Sequence, residues 1–236
     1  QNTQGVNSQF ALEPQMVYDQ IAAVMDDIEP SVVKIGMLSN AAIVEAVAKA
    51  LHDYKPSFII FDPVIVSSTG HRLLSIEAQE TIKEKLIPIA DLLTPNIPEM
   101  KALTDSPLSS LEEKKEAAQQ LFNLGAKAIL LKGGHEEGDV KTDFLFYKGQ
   151  QSTDNGQQTL SMFTSETVVT KNTHGTGCTL SSAIAAFIAR GLSLEDAISE
   201  AKNYVTEAIR AGADVKIGNG IGPVNHAFNP QKMIVL

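Results

Sequence analysis

Four short, mostly apolar runs, spaced by segments of helical period, constrain this chain more than any other feature. They are Val32–Ile35, Phe58–Phe61, a run that ends at Leu92-Leu93, and Ala128–Leu131, each leading into turn residues. Helical patterns lie between and around them. Pro14–Ile28 repeats apolar residues at 3–4 spacing. Asn40 is an N-cap candidate for a helix through Leu51, and further helices are predicted over Ser75–Ile87, from Pro98, and over Leu111–Leu124, where Gly125 is a C-cap. Strand–helix alternation of this kind predicts βαβ units: an α/β fold with a mostly parallel central sheet and helices on both faces. Asp143–Tyr147 and Thr159–Phe163 are expected as antiparallel strands around a turn-rich stretch at 150–157. Gly175–Arg190 and Leu194–Ala211 are expected as two final helices, with loop from Lys216 onward.

The 236 residues fit one α/β domain, with no internal repeat or linker composition. Nineteen Lys and Arg stand against 28 Asp and Glu, a net charge of −9. That balance argues against a nucleic-acid partner, which needs a basic surface. No apolar run is long enough for a transmembrane helix, so no membrane partner is expected. The lone Cys178 cannot form an internal disulfide and suits a reducing, cytoplasmic setting.

In an open α/β sheet, ligands bind at the carboxyl ends of the strands, and the chemically unusual residues fall there. Val32–Ile35 runs into Gly36-Met37, and Phe58–Phe61 into Asp62-Pro63-Val64. Leu92-Leu93 runs into Thr94-Pro95-Asn96-Ile97-Pro98-Glu99, and Ala128–Leu131 into Lys132-Gly133-Gly134-His135. Taken singly, each could be turn punctuation. Together, an Asp, an Asn, a Glu and a Lys on one rim suit a metal–polyphosphate complex.

The sharpest signal is Asn172-Thr173-His174-Gly175-Thr176-Gly177-Cys178-Thr179, which opens a long apolar helix. Glycines let backbone amides converge on an anion, and the helix N-terminus adds partial positive charge. The alternative is a plain loop–helix junction. The segment is not a Walker A loop, and it lacks the third glycine and trailing acid of a dinucleotide fingerprint, which argues against a nicotinamide dehydrogenase. Cys178, in the first helical turn, is placed to have a depressed thiol pKa; the alternative is a small apolar packing residue.

These residues carry a resemblance. The chain is similar to the hydroxymethylpyrimidine/phosphomethylpyrimidine kinases of thiamine biosynthesis, in the ribokinase-like superfamily. The matching segments are QNTQGV (1–6), VKIGML (33–38), DPV (62–64), LLTPNIPE (92–99), LKGGH (131–135), THGTGCTLSSAIAA (173–186) and GIGPVNH (220–226). Most of the superfamily ends the GTG element with Asp as catalytic base, whereas these kinases and the related pyridoxine kinases resemble this chain in having Cys.

The resemblance implies ATP as co-substrate, Mg²⁺, a small pyrimidine as acceptor, and a homodimer. It implies that Gly175, Thr176 and Gly177 form an anion hole, with Cys178 as the base. Asn96 and Glu99, with Asp62, arrange Mg²⁺, partly through water. Lys132 neutralises ATP phosphate oxygens with Thr94 beside them, and Gly220–Pro223 lies toward adenine. Gln1 and Met37 contact the acceptor ring, while His135 and His174 have no catalytic role. The same resemblance implies a single kinase domain over 1–236, lacking the strand, Asp-bearing glycine-rich turn, helix and strand with which such kinases begin. About 40 residues would thus precede Gln1. The alternatives are a pyridoxine or pyridoxal kinase and a non-catalytic ligand-binding relative.

Overall fold

The computed structural model describes residues 1–65, 74–134, 138–148 and 158–232; His135 and the expected turn at 150–157 lie outside them. The strands are β1 (Val32–Ile35), β2 (Phe58–Phe61), β3 (Leu92-Leu93), β4 (Ala128–Leu131), β5 (Val140–Lys148) and β6 (Gln158–Glu166). The helices are α1 (Pro14–Asp27), α2 (Ala41–Tyr54), α3 (Ile76–Lys85), α4 (Ile97–Thr104), α5 (Leu111–Asn123), α6 (Thr176–Ala189) and α7 (Leu194–Gly212). The strands pair in chain order from β1 to β6. The ladders joining β1 through β4 are parallel, and those joining β4, β5 and β6 are antiparallel. The first four strands coincide with the runs read from sequence. The β5–β6 ribbon is longer than expected, because pairing continues through polar residues such as Lys141, Thr142 and Ser165.

Side chains alternate across a strand, and that alternation sorts the core into two layers. Ile59, Phe61, Leu93, Ile129, Leu131 and Phe146 face one layer, shared with α2, α3, α4 and α5. Ile60, Leu92, Ala128, Leu130 and Leu145 face the other, covered by α6 and α7. Both faces of the central strands are therefore dry, which is why these strands are continuous apolar runs. Helix starts are fixed locally. The side chain of Asn40 accepts the Ile43 amide at 3.0 Å, and Ser110 and Glu113 form a reciprocal capping box. Among the described residues, no helix is long and apolar enough to cross a membrane.

The segment entering α6 is held by Asn172. Its buried amide donates to the carbonyls of Gly212 and Val215, both at 2.7 Å, just past and at the end of α7. Truncation would strand the Val215 carbonyl and take one of two donors from the Gly212 carbonyl, which also accepts the Val215 amide, at a cost of about 2 kcal/mol. Asn172→Ala is therefore expected to melt roughly 4–8 °C lower than the parent protein. Differential scanning calorimetry checks this, and an unchanged midpoint would contradict it.

Candidate active site

The same alternation that builds the core aims the polar residues. Ile35, Phe61, Leu93 and Leu131 point away from α6, so Asp62, Thr94 and Lys132, each the next residue, point toward it. Lys34, the residue before Ile35, does too. Backbone bonds keep these residues level at the strand ends. Asp62 N–H donates to Ile35 O (2.9 Å), Thr94 N–H to Phe61 O (3.0 Å) and Lys132 N–H to Pro95 O (2.9 Å).

Asp62 and Lys132 form the centre. The Lys132 ammonium donates to Asp62 Oδ1 at 2.7 Å, and both residues are buried, 1% and 9% exposed. Thr94 donates to the same oxygen at 3.1 Å, and Ser181 of α6 to Oδ2 at 3.2 Å. Glu99 Oε2 lies 3.8 Å from Lys132 Nζ, and Lys34 Nζ lies 3.8 Å from Asp62 Oδ2. Burial acts to raise the Asp62 carboxyl, but Lys132 and Lys34 overcome it and hold the group below its ordinary range. Burial likewise acts to lower the Lys132 ammonium, and the charges of Asp62 and Glu99 instead hold it above. Glu99, with a more distant cation, is not compensated: burial pushes it up to about 7, with Lys132 and the Asn96 amide opposing.

Above this pair stands the start of α6. Gly175 has φ +87°, a left-handed conformation that favours glycine, and the helix begins at Thr176. The Thr176 amide and hydroxyl turn back to Thr173 O, at 3.3 and 2.7 Å. The amides of Gly177 and Cys178 have no protein partner among the described residues. A Cβ placed on Gly177 would lie 3.4 Å from Lys132 Nζ, so the ammonium lies next to the glycine that carries a free amide. Two free amides at a helix N-terminus beside a buried ammonium form a cradle for a phosphate-like anion. Cys178 is exposed at its mouth.

One expectation needs correction. The Cys178 thiol is not depressed: desolvation, with Asp62 adding to it, raises it, against opposing pulls from Lys34 and Lys132. The helix-terminus effect acts on a sulfur that also faces a carboxylate. Asn96 and Glu99 are committed to each other. Asn96 Oδ1 accepts the Glu99 amide (2.9 Å) and Glu99 Oε2 accepts the Asn96 amide (2.7 Å), a capping box at the start of α4. Thr94 is fully buried with its hydroxyl given to Asp62, so it orients that carboxylate. No group of three acidic, His or Cys side chains converges as a metal cage among the described residues. Asp62 and Glu99 are both buried, 1% and 3% exposed, and flank the Lys132 ammonium.

Gln1 reaches the same loop, with its side-chain nitrogen 3.4 Å from His174 Nε2. Met37, just past β1, is 45% exposed and so is not core. A cleft of about 550 Å³ lies alongside, lined by Thr3, Gln4, Lys171, Thr173, Asn219, Gly220 and Ile221. Its glycine wall packs on the N-terminal segment, with Ile221 N–H donating to Thr3 O at 2.8 Å. Two residues escaped the sequence reading. Lys34 sits inside a strand, and a lone charge in a run covered on both faces is the signal that marks it. Ser181, inside an apolar helix, carried no such signal.

Residues 1–225 match the phosphomethylpyrimidine kinase family. The hydroxymethylpyrimidine/phosphomethylpyrimidine kinase of Escherichia coli is 40% identical over 96% of this chain and 82% of its own length. A thiamine biosynthesis bifunctional protein of Geobacter sulfurreducens is 43% identical over 96% of this chain, which spans only 44% of that larger protein. The fold superposes on an ADP complex of Bacillus subtilis pyridoxal kinase with a TM-score of 0.79 and 29% identity, covering 92% of this chain and 78% of that one. With the α/β architecture, the cradle at the start of α6 and these likenesses agreeing, the chain belongs to the phosphomethylpyrimidine kinase family.

Proposed function

We propose that this protein transfers the γ-phosphate of ATP to the hydroxymethyl oxygen of 4-amino-5-hydroxymethyl-2-methylpyrimidine, and then a second phosphoryl group to the resulting monophosphate. The observation that carries this reading is the pairing of two free amides, at Gly177 and Cys178, with the buried Lys132 ammonium beside them. Phosphoryl transfer asks the protein mainly for position and for charge at the equatorial oxygens. Amides and ammonium supply both without having to reorganise.

The adenine end of ATP fits the cleft beside Gly220 and Ile221, which leads past Thr173 to the cradle. Asp62 fixes Lys132, and Thr94 and Ser181 fix Asp62. Gln1 and Met37 contact the pyrimidine. The acceptor oxygen attacks the γ-phosphorus while the bond to the bridging oxygen of ADP breaks, and Cys178, reacting as the thiolate that is its minor form at neutral pH, takes the hydroxyl proton and becomes a thiol. Asp62 and Glu99, the latter aligned by Asn96, would hold Mg²⁺, which would supply charge neutralisation at the phosphates.

A pyridoxal kinase is the second reading, supported by the fold likeness to one. Incubation with Mg-ATP and each ring in parallel, read by mass spectrometry, separates the two. The expected products are the pyrimidine mono- and then diphosphate. Turnover of pyridoxal roughly tenfold better than of the pyrimidine would overturn the substrate assignment.

A further inference from the structure

Behind Lys132 lies a second buried ion pair that the mechanism above does not use. Asp143 on β5 and Lys202 on α7 meet at 2.6 Å, and both are buried, 5% and 6% exposed. The other carboxylate oxygen, Asp143 Oδ1, accepts the Gly133 amide at 2.9 Å. Gly133 is the residue after Lys132. Burying two charges is costly, and replacing such a pair by apolar groups is often neutral or stabilising. Stability alone is therefore a weak reason for it.

Its place in the chain suggests another reason. Beyond Leu131 the β4 strand ends, and Lys132 is tied on the β3 side by a parallel bridge to Asn96, its own amide bound to Pro95 O. Gly133 and Gly134 follow, a pair with little intrinsic stiffness. Toward β5, the chain next to Lys132 is fixed by the contact of the Gly133 amide with Asp143. Lys202 holds the Asp143 carboxylate by one oxygen, leaving the other aimed at Gly133.

We propose that Asp143 is a positioning residue: steered by Lys202, it clamps Gly133 and thereby sets the Lys132 ammonium against the amides of Gly177 and Cys178. This rests on the proposed phosphate-binding role of Lys132. A displacement of about 1 Å at such a group can cost up to roughly 100-fold in rate.

Two double variants separate positioning from charge burial. Asp143→Asn/Lys202→Met removes both charges and keeps an oxygen for the Gly133 amide. Asp143→Leu/Lys202→Met removes the oxygen as well. Each is made with Lys132 intact and with Lys132→Met, and kcat, KM for ATP and thermal midpoint are measured. In the Lys132 background, kcat is expected to stay within about threefold for the Asn form and to fall about 10- to 100-fold for the Leu form. In the Lys132→Met background, the Leu form should add less than about threefold, because what it misplaces is already gone. Equal losses in the two double variants, or a Leu-form loss undiminished by Lys132→Met, would overturn the proposal. If the Leu form does not fold, a loss well above threefold in a folded Asn form also overturns it, and a loss within threefold, the acceptor oxygen being kept, supports it. If Lys132→Met alone leaves kcat unchanged, the assignment of Lys132 falls and takes the clamp with it. If Lys132→Met loses activity and the Leu form does not, only the clamp falls.

Discussion

Cys178→Ala is expected to lower phosphorylation of the alcohol by about 10²- to 10⁴-fold, the range lost with a general base, while leaving ATP affinity near that of the parent. In the proposed arrangement the γ-phosphate is held by backbone amides and Lys132, none of which the substitution removes. The second transfer should respond differently. Its acceptor is a phosphate oxygen that carries negative charge at neutral pH, so no proton need be removed as the new bond forms. The alanine variant should therefore retain most of the monophosphate-to-diphosphate rate. Single-turnover kinetics started from the alcohol and from the monophosphate measure the two losses separately. Equal losses would mean that Cys178 shapes the site rather than accepting a proton. A loss below about threefold in the first transfer would return it to a packing role.

Lys132→Met is expected to combine the other large losses: a fall in kcat of about 100-fold or more, from removal of a preorganised charge at the phosphate, and destabilisation of about 3 kcal/mol, from leaving Asp62 buried without its main partner. Lys34, at 3.8 Å, compensates only in part. The stability loss should depend on pH in a defined direction. In the parent protein the Asp62 carboxyl lies below its ordinary range, so its ionised form adds stability above the unfolded-state pKa. That contribution disappears as pH falls toward the folded-state value. Without Lys132 the ionised form becomes a cost instead. The gap between parent and variant should be widest near neutrality and narrow on acidification. Urea unfolding at several pH values tests this, and a gap that widens toward acid would contradict the assignment.

The fold was legible because its strands are buried on both faces, and so appear as apolar runs whose limits the structure reproduces at β1 to β4. The carboxyl-end rule then brought Asp62, Glu99 and Lys132 to one rim. What sequence could not supply was the partner of each side chain. Asn96 and Glu99 sit at capping-box spacing as well as in a metal-binding motif, and the folded chain forms the capping box, which fixes Glu99 beside Lys132. Thr94 faces Asp62 because Leu93 faces the other core layer, a consequence of strand parity that becomes visible only once register is known. Cys178 follows the same logic. Its helix position argued for a depressed thiol, but desolvation in the folded chain, with the carboxylate of Asp62 adding to it, raises the thiol instead. Asp143 and Lys202 were invisible for that reason too, being 59 positions apart and joined only by the packing of α7 on the sheet.

The transferred phosphate is expected at the start of α6. A crystal structure with Mg²⁺ and a non-hydrolysable ATP analogue measures this directly. The expected result is the γ-phosphate within hydrogen-bond reach of the Gly177 and Cys178 amides and of Lys132 Nζ, with adenine in the cleft beside Gly220 and Ile221. Triphosphate bound elsewhere, with Lys132 still closed on Asp62 and the two amides facing solvent, would contradict it.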